Sequence, residues 1–473
     1  MAPTPSNVRR APFRGIWAAL ALTLPFAIKV YFPGAGVEVI FPSEPLIAVL
    51  FLGYLGLITR DRSRIWRTMV REANMLDIAV LAYLATLFLA SCTAASGLVA
   101  WKAFIVQTVY IGTFYWATRF APFGLRLHPY RSLLYYALAM LPIMAYSLLN
   151  QGLQGMDRAG SNHAPFPFFT DHTAYAAVLC FALPLFVAGT WKALRGPKDL
   201  PKASFFALIS AGTTYALLYS FSRGAWLSAV VALLAGIISL QRERRWKIFL
   251  TLGLVCTLLP AAFLWIQHGP THDASKADTG FVGTVRSIAD VQHDRSTIDR
   301  IARWQAALSM FKERPWTGQG PGNYQFELHA HSPADPANAR HVRGPVSDSA
   351  LRPMMSWGGL LMMRDHAQRS ISSGGTAHSE YFLALSEGGL FGFLAICALC
   401  GMVLMSGLFG RAPASSRMRT LRAVAFLGLC SYLVHACFNN FLDDIKLAFP
   451  FWISLSLFAR TMEGRIDRRS PNA

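Results

Sequence analysis

The stretch "AHSEYFLALSEGGLFGFLAICALCGMVLMS", Ala377 to Ser406, changes abruptly from polar residues to a long apolar run. From Tyr381 onward it contains one charged side chain, Glu387. About 20 apolar residues in helical form are enough to cross a hydrocarbon core roughly 30 Å thick. The stretch therefore predicts a transmembrane helix with a histidine, His378, at its polar mouth.

The same pattern recurs along the whole chain of 473 residues, which is 53% hydrophobic and 15% charged. Soluble domains contain about 25% charged residues. We predict an all-α, polytopic integral membrane protein of about twelve transmembrane helices. The predicted spans are 15–32, 44–59, 75–93, 99–117, 132–150, 169–190, 204–221, 224–240, 248–266, 381–406, 423–439 and 447–460.

The loops between these spans alternate in charge. One set, including "RDRSRIWRTMVR" and "QRERRWK", carries most of the 44 lysines and arginines together with the two termini. The other set, 33–43, 94–98, 151–168, 220–223 and 440–446, is nearly free of them. Cytoplasmic loops are the basic ones, so both termini are predicted to be cytoplasmic. The net charge of +19 is accounted for by these loops, and no nucleic-acid-binding motif accompanies it.

One outer loop is far longer than the others and divides the chain into 1–266, 267–380 and 381–473. Within it, "DRIARWQAALSMFKERP" places Ile301, Trp304, Leu308 and Phe311 at helical spacing. This spacing predicts an amphipathic helix that packs on those four residues. The following "GQGPGNY" predicts a tight turn.

Three residues that are remote in sequence are predicted to lie on the outer face. Arg223 sits in the short connection between two apolar spans, where an unpaired cation is costly; the alternative is an arginine that snorkels to the interface. Arg300 lies on the loop helix, and Arg303 is the other candidate for the functional arginine of this helix. The alternative for both is an ordinary solvated charge. His378 has the unperturbed pKa, near 6.5, that suits acid–base work; the alternative is an inert residue at a helix start.

Further polar candidates are predicted on the same face. Arg158, His163, Asp171 and His172 flank the sixth span, and Asp171 and His172 are candidates for a hydrogen-bonded pair. Glu387 suggests a polar cavity, and Gly389 with Gly392 suggests a groove for a neighbouring helix. Asp443, Asp444 and Lys446 lie before the last span.

No metal site and no cofactor site are predicted. The paired aspartates Asp443 and Asp444 lack a third ligand at a useful spacing, which favours a solvated turn. Cys397 and Cys400 lie inside a predicted span, where inert buried thiols are expected. Arginine suits phosphate oxygens bidentately, and histidine suits removing a proton from an alcohol. The set on the outer face therefore predicts group transfer from a lipid-linked phosphate.

Three motifs, in order, resemble the O-antigen ligase and polymerase family of bacterial inner-membrane proteins. "FSRGAWL" resembles its Ser-Arg-Gly element, and "DRIARWQAALSMFKERPWTGQGPGNY" resembles its Arg-x-x-x-Trp helix followed by Pro and a Gly-rich turn. "HSEYFLALSEGGLFG" resembles the pattern in which a histidine and a polar residue precede Gly-x-x-Gly. The resemblance covers about residues 205–450.

The resemblance implies an inverting, metal-independent glycosyltransferase that acts on the periplasmic side of the inner membrane. Its donor would be a glycan on undecaprenyl diphosphate, and its acceptor a sugar hydroxyl of lipid A–core. It assigns catalysis to His378, Arg300 and Arg223. We predict substrate contacts from the two arginines together with Arg303, Ser379, Arg158 and His172.

Two alternatives stay open. A polymerase would use a second lipid-linked repeat unit as the acceptor, and two departures from the family pattern leave room for it: the long stretch from Tyr324 to His378, and Asp-His within "FTDHTAY". A small-solute or bicarbonate-type transporter is the alternative from another class. It is disfavoured because the polar candidates crowd one face instead of the membrane centre, where carriers bind their substrates.

Overall fold

The computed structural model describes residues 11–32, 37–60, 62–120, 127–195, 199–240, 295–331 and 375–462. These residues are mostly helical, and a single two-stranded hairpin accompanies the helices within them. The predicted span 248–266 lies outside these ranges.

The helices are α1 Ala11–Thr23, α2 Ser43–Arg60, α3 Arg62–Glu72, α4 Met75–Cys92, α5 Gly97–Arg119, α6 Pro129–Gln154, α7 Arg158–His163, α8 His172–Arg195, α9 Leu200–Tyr219, α10 Arg223–Leu240, α11 Arg295–Glu313, α12 Tyr324–His331, α13 Glu380–Phe409, α14 Ser416–His435 and α15 Ile445–Met462. Within α5, residues Ile111–Trp116 form a π-helical segment. The strands are β1 Ile28–Phe32 and β2 Val37–Phe41.

Six helices in the described part of the chain are long and apolar enough to cross a membrane: α2, α4, α5, α6, α8 and α13. Helices α9, α10, α14 and α15 coincide with four further predicted spans. The helical membrane class is thus confirmed. The number of twelve spans and the cytoplasmic placement of the termini stay predictions.

The first predicted span, 15–32, is wrong in its second half. Helix α1 ends at Thr23, and a 3₁₀ turn containing Pro25 follows it. Strand β1 then pairs antiparallel with β2, with Val30 opposite Val39. β-Branched residues favour strands, and hydropathy alone does not separate an apolar strand from the end of an apolar helix.

The core of the bundle forms around α15, in which nearly every residue is buried. Trp452 and Phe449 pack against aromatic side chains of α4, α5 and α6, including Tyr83, Phe114 and Tyr136. Outer helices instead expose large apolar side chains, such as Leu52 on α2 and Leu208 on α9. Exposed apolar faces of this kind suit contact with lipid chains, because such chains are as apolar as leucine.

Candidate functional site at one end of the helical bundle

Five loops meet at one end of the bundle: 93–96, 155–171, 220–222, 375–379 and 436–444. The side chain of Gln151, near the end of α6, donates to the carbonyl of Tyr219 at 2.9 Å. A carboxylate oxygen of Glu380 accepts the backbone N–H of Leu442 at 2.9 Å. These bonds fix the relative positions of segments that are far apart in sequence.

The Gly-rich turn after α11 docks on a break in helix α13. Gly389 has φ 60° inside this helix, and the freed backbone of α13 bonds the turn. The N–H groups of Gln319 and Gly320 donate to the carbonyls of Ser386 and Glu387, both at 2.9 Å. Leu390 N–H donates back to the carbonyl of Pro315 at 2.8 Å.

Gly389 is required at this break for two reasons. Its positive φ is rarely adopted by residues with side chains. A Cβ at this position would also lie 2.5 Å from the carbonyl carbon and oxygen of Trp316. The predicted groove at Gly389 therefore receives the backbone of the turn and not a neighbouring helix.

The Glu387 carboxylate does not mark an open polar cavity. It accepts the backbone N–H of Tyr324, the first residue of α12, at 3.0 Å. A helix begins with N–H groups that have no partner inside the helix. Glu387 satisfies one such group next to the turn, which gives it a structural role.

The loop helix α11 packs on α13 with a different face from the one that its sequence predicts. Helix α11 ends before Pro315, as expected, and the Trp304 ring stacks on Phe382 with centroids 5.1 Å apart. Its buried residues are Ala306, Ala307 and Met310, whereas Ile301 and Leu308 are exposed. The prediction of a face built on Ile301 and Leu308 is therefore wrong. Small side chains let the helices approach closely. The prediction was based on the large apolar side chains and therefore did not include the alanines.

Arg303 is held by groups of the protein itself. Its Nε donates to Asp299 at 2.7 Å, and a terminal guanidinium nitrogen donates to the carbonyl of Thr376 at 3.2 Å. The guanidinium fills the space beside Gly375 that a side chain would otherwise occupy. This arrangement ties α11 to the segment immediately before His378.

Arg300 lies on the part of α11 that faces three histidines. Its positive charge acts on the rings of His172, His378 and His435, which belong to three different segments. Coulomb interactions of this kind decay with distance and are strong where water is excluded. Arg300 therefore acts on more histidines of the predicted cluster than Arg303 does, whereas Arg303 acts more strongly on His378.

His378 is a half-buried residue with a left-handed backbone, at φ 48°. Burial lowers its pKa from the ordinary 6.5, and the positive charges of Arg303 and Arg300 lower the pKa further. Asp299 and a hydrogen bond with the Asn439 side chain act in the opposite direction on this pKa. The ring is therefore held in its neutral form at pH 7, as a general base requires.

Asp171 and His172 form the predicted pair, with Oδ1 of Asp171 3.2 Å from Nδ1 of His172. Asp171 also accepts the N–H of Thr173 at 2.9 Å, so the carboxylate is fixed at the start of α8. The charges of Arg158, Arg300 and His163 act on the His172 ring. Arg158 and His172 are therefore parts of the same electrostatic cluster as Arg300.

Arg223 is the first residue of α10, and its neighbour Gly224 lies beside His435. A Cβ at Gly224 would lie 3.8 Å from Cε1 of His435, the last residue of α14. The start of α10 thus packs against the end of α14. A helix N-terminus favours negative charge, which adds to the charge of Arg223 itself.

Backbone strain occurs at one predicted site residue and close to two others. Among the described residues, three that are not glycine have a positive φ: Met156 (53°), Phe221 (50°) and His378 (48°). Met156 and Phe221 each lie two positions before a candidate arginine, Arg158 and Arg223. Strained conformations of this kind cost about 1–3 kcal/mol each and cluster at functional sites.

Two buried side chains of the site were missed by the sequence analysis: His435, which is 1% exposed, and Asn439, which is 3% exposed. Asn439 Nδ2 lies 3.1 Å from His435 Nε2. His435 Nδ1 and both amide atoms of the adjacent Asn440 have no hydrogen-bond partner within the described residues. The signal for them was available, because "HACFNN" places three polar residues at the outer end of a predicted span.

Two other predicted residues have structural roles. Ser379 is the N-cap of α13, where its buried hydroxyl accepts the N–H of Phe382. This capping role accounts for the serine without a substrate contact. The Lys446 ammonium is buried, donates to the carbonyls of Pro25 and Phe168, and lies over the Phe169 ring. It therefore anchors the start of α15 to two other segments.

The two aspartates near Lys446 have different surroundings. Asp444 caps α15 by accepting the N–H of Lys446 at 2.9 Å, and Asp443 is exposed. No group of three or more histidine, cysteine or carboxylate side chains in the described ranges is arranged to hold a metal ion.

The fold and site together define a class: a helical integral membrane protein with arginines and histidines gathered at one end of its bundle. A sequence model of the O-antigen ligase family matches residues 205–347, which include Arg223, Arg300 and the Gly-rich turn but not His378. This match confirms the family resemblance of the first two motifs and supports a membrane glycosyl-transfer role of the ligase and polymerase kind. No curated protein matches the chain significantly.

Proposed function

We propose that this protein transfers a glycan from undecaprenyl diphosphate to a sugar hydroxyl of lipid A–core, at the periplasmic face of the bacterial inner membrane. The observation that carries the proposal is the position of Arg300, whose charge acts on His172, His378 and His435 together. A lipid diphosphate needs cations, and a sugar hydroxyl needs a base. The family match supports both substrates in general terms.

Arg223 and Arg300 would hold the diphosphate. Their guanidinium groups match the geometry of phosphate oxygens, and they neutralise the charge that grows as the anomeric C–O bond breaks. Preorganised stabilisation of this kind is often the largest catalytic contribution, with one lost donor costing about 10²–10³ in rate. No nucleotide is needed, because the diphosphate is already attached to the sugar.

His378 would act as the base. Its ring nitrogen takes the proton of the acceptor hydroxyl while the acceptor oxygen forms a bond to the anomeric carbon. The bond from that carbon to the phosphate oxygen breaks on the opposite face, and its electron pair leaves with undecaprenyl diphosphate. The configuration at the anomeric carbon is inverted, and the proton passes from His378 to water.

Arg158 and His172 would contribute substrate contacts around this centre, and Arg303 would position α11. Arg158 and His172 belong to the electrostatic cluster of Arg300, so they suit a second anionic or hydroxyl-rich part of the substrate. Arg303 has bonds of its own to Asp299 and Thr376, and its part is to keep α11 against the His378 segment. The mechanism uses no metal, so purified protein is expected to transfer glycan in EDTA, and a strict requirement for Mg²⁺ or Mn²⁺ would contradict it.

Reconstitution with a lipid-linked glycan and two competing acceptors tests the proposal. Lipid A–core as the productive acceptor identifies a ligase. A ladder built on a second lipid-linked unit identifies a polymerase. An absence of transfer to either, combined with solute flux into the same proteoliposomes, would favour the transporter.

The orientation has a separate test. Cysteines introduced at exposed Ser309 on α11 and at Ser415 before α14 are expected to react from the periplasm and the cytoplasm respectively. Cys92 and Cys437 are exposed, so both are first replaced by serine. Labelling of Ser309→Cys from the cytoplasmic side would exclude a periplasmic site.

A further inference from the structure

The junction of α2 and α3 lies at a membrane boundary. Helix α2 ends at Arg60 and α4 begins at Met75, and both helices are long and apolar enough to cross a membrane. Helix α3 connects them with 11 residues and is about 16 Å long. A segment that joins two such helices over this length stays close to the membrane surface.

The end of α3 is fixed to the helical bundle. Arg119 on α5 donates to the carbonyl of Glu72 at 2.6 Å. The side chain of Asn74 donates to the carbonyl of Ala459 on α15 at 3.2 Å. Ile65 is 4% exposed, so its side of α3 packs on the protein. The side of α3 that faces outward is thereby defined.

The outward side of α3 carries apolar and basic residues in separate rows. Trp66 and Val70, one helical turn apart, are 66% and 64% exposed. Arg67 and Arg71 are also exposed, and each lies about 100° further around the helix. Tryptophan is enriched at membrane–water interfaces, and a helix with an apolar side and a basic side lies in the plane of such an interface. This side of α3 therefore fits a lipid surface.

The exposed side of α2 leads to the same junction. Leu52 and Leu55 are exposed on α2, and Thr59 follows Leu55 by four positions. Residues at this spacing lie on one side of a helix. An acyl chain that packs along the two leucines therefore ends at Thr59.

A cavity of about 540 Å³ lies where α2 meets α3. It is lined by Thr59, Arg60, Arg62, Ser63 and Trp66. Guanidinium groups match phosphate oxygens bidentately, and the Ser63 hydroxyl and the Trp66 indole N–H are further donors. The cavity thus offers hydrogen-bond donors and positive charge to an anion, beside a row of leucines that suits an acyl chain.

We propose that this junction binds the headgroup of an anionic phospholipid, with the phosphate between Arg60 and Arg62. One acyl chain lies along Leu52 and Leu55, and the apolar row of α3 enters the boundary of the acyl region. The ligand is a diacyl phospholipid with a net negative headgroup, such as phosphatidylglycerol. A zwitterionic headgroup carries an ammonium as well, which the two guanidinium groups disfavour. The site is separate from the proposed glycan transfer and does not depend on it.

Competition between two lipids tests the headgroup site. Full-length protein in detergent is mixed with equal amounts of phosphatidylglycerol and phosphatidylcholine that have the same chains, and native mass spectrometry identifies the first lipid bound. The wild type is expected to prefer phosphatidylglycerol, since each cation near an anionic lipid contributes about a fivefold preference. Arg60→Gln/Arg62→Gln is expected to lower this preference about 5- to 25-fold.

The control removes the same charge elsewhere. Lys192→Gln/Lys202→Gln replaces two exposed lysines of α8 and α9, which belong to another basic loop predicted on the same side of the membrane. It is expected to leave the lipid preference unchanged. Should the double arginine variant not fold, Arg62→Gln and the control Lys202→Gln measure the same preference, with an expected loss of about fivefold in the arginine variant alone.

The depth of α3 has a separate test in nanodiscs. A nitroxide label is attached at Val70→Cys or at Arg71→Cys, after the exposed Cys92 and Cys437 are replaced by serine. The label at position 70 is expected to collide more with oxygen, which concentrates in the acyl region. The label at position 71 is expected to collide more with a water-soluble nickel chelate.

Four outcomes would overturn the proposal. The wild type could bind both lipids equally, or both double variants could lose the preference equally, in which case the charge of the whole surface selects the lipid. Displacement of phosphatidylglycerol by millimolar inorganic phosphate would identify a site for a free anion. A label at position 70 that collides mainly with the nickel chelate would place this side of α3 in water, where it suits a soluble partner instead.

Discussion

Two polar clusters lie at opposite ends of the same helices, and their side chains are satisfied to different degrees. At the beginning of α4 and the end of α5, Asp77 and Arg119 form a buried ion pair at 3.1 Å. Tyr115 donates to the same carboxylate at 2.6 Å, and Arg119 also donates to the carbonyl of Glu72. This cluster is complete without a ligand.

The cluster at the other end is incomplete. His435 Nδ1 and the Asn440 amide are buried there without partners in the described part of the chain, and the backbone is strained at Phe221 and His378. Buried polar groups in proteins are normally hydrogen-bonded. The comparison shows that charge and burial alone do not mark a site. Unsatisfied groups and backbone strain distinguish the proposed site from the cluster around Asp77 and Arg119.

The largest effect is expected from removing the groups that act on the substrate. His378→Ala is expected to lower kcat about 10²- to 10⁴-fold, the usual contribution of a general base, and Arg300→Ala about 10²- to 10³-fold. Transfer is measured with purified protein and lipid-linked donor. Both variants are expected to insert and unfold like the wild type, so near-normal transfer by His378→Ala would remove the proposed base.

Breaking the other cluster is expected to change stability and not chemistry. Asp77→Asn leaves the buried Arg119 without its carboxylate, which costs about 3–5 kcal/mol of unfolding free energy. Denaturant unfolding in detergent measures the loss. The control is Glu313→Gln, which removes an exposed carboxylate paired with His331 and is expected to cost less than about 1 kcal/mol. If folded Asp77→Asn had a lowered kcat, the division between the two ends would be wrong.

Gly389→Ala tests the docking of the Gly-rich turn, with Gly388→Ala as its neighbouring control. A Cβ at Gly389 would meet the Trp316 backbone at 2.5 Å, whereas one at Gly388 meets nothing within 4 Å. Gly389→Ala is expected to cost at least the roughly 1–3 kcal/mol of a strained backbone and to release α11, which faster proteolysis between α11 and α12 detects. Equal proteolysis of the two variants would show that the turn is not held at this break.

The smallest effect is expected in the pH profile. His378 must be neutral to accept a proton, and its pKa is lowered by burial and by Arg303 and Arg300. The rate is therefore expected to fall at low pH with a midpoint below pH 6.5. Arg303→Gln removes one positive charge, which raises the pKa of His378 and moves the acid limb to higher pH. A midpoint above pH 6.5 in the wild-type profile would contradict a lowered pKa of His378.

The helices and their order follow from the sequence because a 20-residue apolar run has few alternatives in a membrane. The grouping of Arg158, His172, Arg223, Arg300 and His378 at one end was predictable from the alternation of charged loops. The face of α11 was not, since Ala306 and Ala307 are buried by close approach and not by bulk. The roles of Glu387 and Lys446 were not predictable either, because their partners are backbone groups of remote segments.

The pair of His435 and Asn439 shows a related limit. His435 is the last residue of α14 and Asn439 follows it by four positions, a spacing that does not by itself indicate a site. What distinguishes the pair is that both side chains are buried and that Nδ1 of His435 has no partner within the described residues. Burial of this kind depends on segments that are remote in sequence.

The main-chain bonds between the Gly-rich turn and the break in α13 have a mechanical consequence. Main-chain bonding on both sides of Gly389 leaves the turn and α13 little freedom to slide past one another. Arg300 lies on the helix before that turn. It is therefore restrained by the membrane helix α13 and is expected to move less than a residue in a surface loop. In the proposed transfer, other segments would admit the two lipids while the charge of Arg300 stays in place.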